Sequence, residues 1–253
     1  MSGYGSLFAK IYNKNFIHFA NRVAPELLKF YEQTTVAEEN KNVLDLCCGT
    51  GQLASHFLER GYFVVGIDLS ADMLALAKLN NQKYIREKKA KFVQADATNF
   101  ALQERFGLVV STFDALNHLE NEAALKHCFL SVFSVLQEKG YFIFDLNTRL
   151  GLLQRWNGIQ VIDRPDLMLI NRSIVDLEKK KAYVRISGFL QNDEGAYQRF
   201  EEYLFNTIFE LTLVKHLLLE IGWQEVSFVR QWDLFTVVSN PESEDRIFII
   251  AKK

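Results

Sequence analysis

A glycine turn and three aspartates are the residues in this sequence whose types and spacing could do chemistry together. Residues 43–51 read Val-Leu-Asp-Leu-Cys-Cys-Gly-Thr-Gly, an apolar run that ends in a turn containing Gly49 and Gly51. Glycines let a ligand approach the backbone closely, and the amino terminus of a following helix favours electronegative groups. Taken alone, the turn fits an ordinary strand-to-helix connection equally well, because such turns are common in α/β proteins.

The aspartates strengthen the case for a ligand site. Asp45 lies near the end of the first apolar run, Asp68 at the end of the second and Asp96 at the end of the third. The carboxyl ends of parallel strands share one edge of a sheet, where ligands bind in open α/β folds. Three carboxylates at one edge repel each other and lose hydration. We therefore expect a ligand that offers hydrogen-bond donors or positive charge.

The elements that must position these acids are short apolar runs alternating with helical patterns, which is typical of an α/β fold with a doubly wound parallel sheet. Strands are predicted at 42–46, 62–67, 91–95, 107–112 and 141–146, with two closing strands at 224–230 and 246–252. Helices are predicted at about 52–60, 71–80, 121–137 and 210–221. The sheet is thus expected to have seven strands.

Between these two groups of strands, the alternation of short apolar runs and helical patterns stops. Residues 167–176, 181–191 and 196–209 read as extended segments, with a turn signal at residues 192–195. We expect them to pair as an antiparallel β lid. The predicted division is capping helices over residues 1–40, a core over 41–148 and 210–253, and an inserted lid over 149–209.

Composition excludes several classes of function. The chain has 253 residues, 49% of them hydrophobic, which fits a globular core, and its three cysteines cannot build a disulfide framework. Its 29 basic and 31 acidic residues are scattered, so we expect no nucleic-acid partner. The sequence shows neither a secretory signal nor a membrane-spanning run, which predicts no membrane partner and a cytoplasmic location. The five histidines lack a metal-binding spacing, and no metal is expected.

Two cofactors compete for the glycine turn. Residues 49–54 fit the dinucleotide pattern G-x-G-x-x-A, with Asp68 as a plausible ribose ligand. Asp45 argues against that alternative, because its carboxylate would lie near the doubly anionic pyrophosphate. A ligand with an ammonium and a sulfonium group and no phosphate suits the same acid, and S-adenosylmethionine (SAM) has this charge pattern.

Residues 42–148 resemble the core of the class I SAM-dependent methyltransferases. The resemblance rests on five segments in the family's order: VLDLCCGTG, VVGIDLS, FVQADATNF, LVVSTFDALNHL and LQEKGYFIFDLNT. It implies a Rossmann-like sheet in which the last two strands form a closing antiparallel pair. One residue departs from the pattern, because Cys47 stands where the family commonly has glycine.

The resemblance also implies roles for individual residues. Asp45 and the turn at Gly49 and Gly51 are expected to hold the methionine end of SAM, and Asp68 both ribose hydroxyls. The Asp96-Ala97 pair is expected to recognise the adenine amine. Further cofactor contacts are expected from residues within the same motifs: Cys47, Thr50, Leu69 and Phe113.

The acceptor side is suggested by a narrower resemblance. In sugar amine N-methyltransferases and their relatives, a histidine after the fourth strand and a tyrosine on the amino-terminal helix line the site, and these match His118 and Tyr12. His118 could take a proton from an amine or hydroxyl at neutral pH. Alternatively, His118 bonds the backbone at a helix start and Tyr12 is a core aromatic.

The predicted function is methyl transfer from SAM to nitrogen or oxygen of a small-molecule acceptor, by a monomer or homodimer. Two alternatives stay open at this point: a nucleotide-dependent oxidoreductase and a SAM-binding module without turnover. Asp145 and Asn147, at the end of the fifth strand, are further candidates for the same cleft.

Overall fold

The structure, a computed structural model, describes residues 4–192 and 194–253. Its strands are β1 (Asn42–Leu46), β2 (Phe63–Asp68), β3 (Ala90–Gln94), β4 (Phe106–Ser111), β5 (Leu136–Asn147), β6 (Gly158–Arg164), β7 (Leu167–Asp176), β8 (Lys181–Gln191), β9 (Tyr197–Thr207), β10 (Glu225–Arg230), β11 (Asp233–Val237) and β12 (Arg246–Lys252).

The α-helices are α1 (Ser6–Asn15), α2 (Ile17–Tyr31), α3 (Thr35–Glu39), α4 (Gln52–Glu59), α5 (Ala71–Asn80), α6 (Gln82–Arg86), α7 (Glu122–Val135), α8 (Arg149–Arg155) and α9 (Leu211–Ile221). A short 3-10 helix spans Ala115–His118, directly after β4. Side-chain caps begin several helices. Ser70, for example, accepts a hydrogen bond from the backbone N–H of Met73 at the start of α5.

The central sheet has the strand order β11-β10-β12-β5-β4-β1-β2-β3 within the described residues. Strands β3, β2, β1, β4 and β5 run parallel, and β12, β10 and β11 are joined to them by antiparallel pairing. The chain order reverses between β1 and β4. This is the point at which open α/β sheets leave a crevice at their carboxyl edge.

Both faces of the central sheet are covered, which explains why its strands are almost continuously apolar. One face packs against α2 and α4 through residues such as Leu27 and Phe57. The other face packs against α7 and α9 through residues such as Phe129 and Leu218. No helix in the described ranges is both long and apolar enough to span a membrane.

The second sheet is antiparallel, with the order β6-β7-β8-β9 in the part of the chain that the structure describes. Its inner face contributes Leu169, Val184 and Phe200 to a small core that also contains Phe8 and Ile11 of α1. Helix α1 therefore lies between this sheet and the central domain.

The fold agrees with the sequence-based expectation in class and differs in strand count. The central sheet has eight strands rather than seven among the described residues, and the extra strand is β11. Its hairpin with β10 turns at Trp232, whose φ of 70° is left-handed without the usual glycine signal. The lid likewise gains β6, a strand whose residues are all exposed and lack an alternating pattern. Within the turn predicted at 192–195, residue 193 lies outside the described residues.

Candidate functional site

The turn after β1 has a left-handed backbone at three of its five residues. Cys47, Gly49 and Gly51 have φ values of 60°, 53° and 71°. Cys47 therefore adopts the conformation that favours glycine, the residue common at this position in the similar family. A Cβ atom at Gly49 would lie 3.5 Å from the ring of Tyr12, and one at Gly51 would lie 2.8 Å from Nδ2 of Asn81. The turn therefore leaves little room for larger residues.

Asp45 is the least compensated acid at this edge. Its side chain is 2% exposed, and Oδ2 has no hydrogen-bond partner among the described residues. Burial, followed by the nearby Asp68 carboxylate, raises the pKa of Asp45 to about 8. Oγ1 of Thr50, in the adjacent turn, is also buried without a partner in the described part of the chain. Two buried polar atoms that lack partners indicate a ligand-binding position.

Asp68 at the end of β2 is held by backbone donors. Its Oδ2 accepts a hydrogen bond of 2.8 Å from the N–H of Gly49, and its Oδ1 accepts one of 2.9 Å from Ser70. Burial raises its pKa, while these backbone N–H groups act in the opposite direction. Asp68 thus connects the end of β2 to the glycine turn.

The third predicted acid lies farther from the turn. Asp96 follows β3 and is exposed, with Oδ1 accepting hydrogen bonds of 2.8 Å from both the backbone and the hydroxyl of Thr98. Ala97 beside it is half-buried, and Leu69, after β2, is 50% exposed. These positions fit the far end of an elongated ligand that lies across the carboxyl ends of β1, β2 and β3.

A cavity with an empty volume of about 360 Å³, part of it open to solvent, lies beside the glycine turn. Its lining brings together five of the predicted site residues: Tyr12, Asp45, Cys47, Thr50 and Phe113. Phe16 and Phe19 complete its aromatic side.

Tyr12 lies in α1 with its ring against Gly49 and stacked on Phe16 at a centroid distance of 5.3 Å. Burial raises the pKa of its hydroxyl above the usual range, and the charge of Asp114 adds to this effect. Tyr12 is therefore a neutral donor or acceptor in the cavity at physiological pH. The sequence left open whether Tyr12 lines the site or is a core aromatic. In the structure it does both, because it packs against the small core around α1 and also lines the cavity.

His118 ends the 3-10 helix after β4. Its Nε2 lies 3.3 Å from the hydroxyl of Tyr4, whose ring lies 6.4 Å from that of Tyr12 in a stacked arrangement. Burial lowers the pKa of His118, and Asp114, the backbone of Phe205 and Asp68 partly offset this effect. The lowered pKa favours the neutral imidazole at pH 7, in which Nε2 lies within hydrogen-bond distance of the Tyr4 hydroxyl.

Two residues that sequence reasoning missed hold His118 in place. Asn117 is fully buried, and its Nδ2 donates to the carbonyl oxygens of Asn147 and Thr207 at 3.2 and 3.0 Å. Tyr4 also accepts a hydrogen bond at its backbone oxygen from Ser70. The letters N-H in the LVVSTFDALNHL segment were visible in the sequence, but their partners lie far away along the chain.

Phe113 stacks on Phe19 at a centroid distance of 4.6 Å, and its backbone N–H donates to Oδ1 of Asp145 at 2.6 Å. Asp145 and Asn147 are both buried. They support the turn after β4 rather than lining the cavity, which corrects their expected place in the cleft. In the described part of the chain, no group of His, Cys, Asp or Glu residues is arranged to hold a metal ion.

The geometry of these residues fits SAM, independently of the resemblance in sequence. The unpartnered Oδ2 of Asp45 and the narrow approach at Gly49 suit the cationic methionine end, and the Asp68 carboxylate lies one backbone turn away. The cavity beside the turn is lined by aromatic residues and by Asp45, while Asp68 is not among its lining residues. A dinucleotide pyrophosphate would meet the uncompensated Asp45 at the same place.

Comparison with known proteins agrees with this geometry. A family model described as "Methyltransferase domain" matches residues 43–140. The chain is similar to the putative methyltransferase YqeM of Bacillus subtilis, with 30% identity over 217 residues that cover 85% of each protein. It is also similar, with 34% identity over 84 residues, to the dTDP-3-amino-3,6-dideoxy-alpha-D-glucopyranose N,N-dimethyltransferase of Streptomyces fradiae, covering 33% of this chain and 31% of that protein.

Among solved structures, a SAM-dependent methyltransferase from Clostridium acetobutylicum superposes with a TM-score of 0.78 and 23% identity, covering 97% of both chains. This likeness supports the fold, including the lid. Together with the extent and identity of the match to YqeM, the family model and the carboxylate edge, it leads to one assignment: the chain belongs to the SAM-dependent methyltransferases.

Proposed function

We propose that this methyltransferase transfers the methyl group of SAM to the amine nitrogen of a small polar acceptor, with His118 as the base. When bound, SAM supplies a methyl group on a positively charged sulfur. The protein then has to hold the acceptor lone pair in line with that methyl group, and positioning alone can contribute roughly 7–11 kcal/mol. Membership of the family decides against the nucleotide-dependent oxidoreductase.

The cofactor side of the proposal rests on the turn after β1. Asp45 would bind the ammonium of the methionine end, and Gly49 and Gly51 would allow the backbone to approach it. Asp68 would accept hydrogen bonds from the ribose, and Asp96 with Ala97 would contact the adenine. Cys47, Thr50, Leu69 and Phe113 would complete the contacts.

The observation that carries the acceptor side is the half-buried pair of His118 and Tyr4. Nε2 of His118 faces the Tyr4 hydroxyl at 3.3 Å, close to Tyr12 and beneath strand β9. An amine reaches this place as an ammonium ion, and the nearby Asp68 carboxylate favours that charge, whereas the Asp114 carboxylate is paired with Arg246. The neutral imidazole can then remove the proton and free the nitrogen lone pair.

Two further facts favour a small amine. The segment Ser111–His118 lacks the Asn/Asp-Pro-Pro-Tyr/Phe motif of many enzymes that methylate nucleobases or glutamine side chains. The Streptomyces fradiae relative is named for the dimethylation of an amino sugar nitrogen. An amino group on a sugar-sized molecule is therefore the acceptor class that we propose.

The test is an acceptor screen with methyl-labelled SAM and purified protein. Each amino sugar, free or nucleotide-linked, is paired with the sugar that carries a hydroxyl at the same carbon. Small amino acids form a second set of amines. We expect label in the amines and in none of the matched hydroxyl sugars, and no transfer by Asp68→Ala. Label confined to hydroxyl compounds would contradict the choice of nitrogen.

A further inference from the structure

The turn after β4 contains two consecutive left-handed residues, neither of which is glycine. Phe113 and Asp114 have φ values of 67° and 52°. Each such residue raises the energy of the backbone and persists only where its surroundings hold it. At this turn, the holding group is the side chain of Asp145, because Oδ1 accepts from the N–H of Phe113 at 2.6 Å and Oδ2 accepts from that of Asp114 at 3.0 Å.

Asp145 is fully buried, so its carboxylate needs a positive partner. Arg246 of β12 provides it. One guanidinium nitrogen donates to Oδ2 of Asp145, and the other donates to Oδ1 of Asp114 at 2.7 Å. The guanidinium also lies over the rings of Phe19 and Phe113, at 5.1 and 5.6 Å from their centroids. Arg246 thus contacts the turn at the Asp114 carboxylate and at the ring of Phe113, and it also bonds the Asp145 carboxylate that holds the turn.

The turn determines the direction of two groups that serve the reaction. The ring of Phe113 lines the cavity beside the glycine turn. The chain then enters the 3-10 helix Ala115–His118, which ends at the imidazole opposite Tyr4. If the two left-handed residues relaxed, both the aromatic wall of the cavity and the start of the helix that carries His118 would shift.

We propose that Arg246 is a positioning residue of this methyltransferase. Together with Asp145 it holds the left-handed turn at Phe113 and Asp114. The held turn fixes the positions of the cavity wall and of His118 relative to each other. Arg246 acts through this turn: it lies over the ring of Phe113, a proposed cofactor contact, and among the described residues it makes no hydrogen bond to the imidazole of His118. Its contribution is therefore expected in ligand affinity as well as in stability.

The test uses S-adenosylhomocysteine (SAH), the product form of the cofactor, so the result does not depend on the acceptor proposed above. Affinity for SAH is measured by isothermal titration well below the unfolding temperature for Arg246→Lys, for Asp145→Asn and for the double variant. We expect each single change to weaken SAH binding by about tenfold, because lysine cannot bridge both carboxylates and asparagine keeps one acceptor oxygen. The double variant should be no worse than either single variant, since both break the same set of contacts.

The matched control is Arg60→Lys. Arg60 pairs with Glu32 at 3.0 Å, just before β2 and so near the opposite edge of the sheet from the turn after β4. We expect it to lower thermal stability slightly without changing SAH affinity. If Arg246→Lys and Asp145→Asn behave like this control, with reduced stability and unchanged affinity, the positioning role is wrong and the cluster only stabilises the fold.

A rescue experiment separates the role of Arg246 at the turn from general damage and also serves if a single variant fails to fold. Asp114→Gly removes the cost of the left-handed conformation at residue 114. It also removes the second carboxylate, so the shorter cation of Arg246→Lys has only Asp145 to neutralise. In that background we expect Arg246→Lys to weaken SAH binding by only about threefold or less. An undiminished loss of affinity in the glycine background would overturn the proposal.

Discussion

The turns after β1 and β4 lie side by side at the carboxyl edge of the sheet, and both contain left-handed residues that are held in different ways. The first turn takes this conformation at Gly49 and Gly51, where it costs little, and at Cys47. The second takes it at Phe113 and Asp114, which are held by the side chains of Asp145 and Arg246.

The difference shows that the first turn is determined mainly by residues within it, and the second by residues far away along the chain. The first turn follows from the residue types within it, and its partner Asp68 belongs to the next strand of the sheet. The second turn depends on residues from two other strands that join the sheet later in the chain. The first turn should therefore fail when a local residue changes, whereas the second turn should fail when its distant supports change.

The largest effect should come from the acceptor side. His118→Gln removes the base and keeps a polar side chain, and we expect kcat to fall by about 10²- to 10⁴-fold. SAM affinity should stay near that of the wild type. In the wild type, kcat/KM should fall as the pH drops through the lowered pKa of His118, below 6.5, because protonation removes the lone pair.

The control for this change is His127→Gln, an exposed histidine on α7 that should leave kcat unaltered. Equal losses of kcat and SAM affinity in His118→Gln would show that the two sides of the site do not separate.

Asp68→Ala should give the opposite pattern. The carboxylate bonds Gly49 and would accept from the ribose, and hydrogen bonds to charged groups contribute about 1.5–3 kcal/mol each. We expect SAM and SAH affinity to fall by roughly a hundredfold or more by titration calorimetry. Asp72→Ala, which changes an exposed acid in the first turn of α5, should bind SAM and SAH as the wild type does. Unchanged affinity in Asp68→Ala would remove this residue from the cofactor site.

Gly51→Ala tests how firmly the first turn depends on its glycines. The new Cβ would lie 2.8 Å from Nδ2 of Asn81 and 3.0 Å from Cβ of Ala77, in a left-handed backbone. We expect the free energy of unfolding to fall by roughly 3 kcal/mol in denaturant titration. Gly61→Ala has a φ of 84° and nothing within 4 Å of its Cβ among the described residues, so it should lose only about 1 kcal/mol. Equal losses would mean that crowding at the turn is unimportant.

The smallest effect concerns protons at Asp45. Its pKa of about 8 means that the carboxyl group of the free protein is mostly protonated at pH 7. An incoming ammonium favours the carboxylate and lowers that pKa, so SAM binding should release up to about one proton at pH 7 and fewer at pH 9. Calorimetry in two buffers of different ionisation enthalpy measures this release. Asp45→Asn should abolish it, and a release that persists in this variant would assign the proton to another group.

The strands could be predicted from the sequence wherever apolar runs were long enough. The predicted bounds of β1, β7, β8 and β12 agree with the structure residue for residue. Strands β6 and β11 were not predicted, because they lie at sheet edges, where few side chains are buried and the hydrophobic pattern is weak.

The site could be predicted where its geometry follows from strand ends. The glycine turn, Asp45 and Asp68 are recognisable because parallel strands bring their carboxyl ends to one edge. Three residues were not predicted, because each acts through a contact with a residue far away along the chain. Tyr4 contacts His118, 114 positions away, and Asn117 contacts Thr207, 90 positions away. Arg246 contacts Asp114, 132 positions away. No local spacing carries such information, and their neighbours become known only from the folded chain.

Arg246 lies on β12, which follows every other strand in chain order, and this has a consequence for synthesis. A nascent chain that has left the ribosome as far as β5 already holds the three aspartates, the glycine turn and His118. It cannot yet neutralise Asp145 or fix Phe113 and Asp114. Chains fold from the amino terminus as they emerge, so we expect the turn after β4 to reach its final geometry only once β12 has left the ribosome.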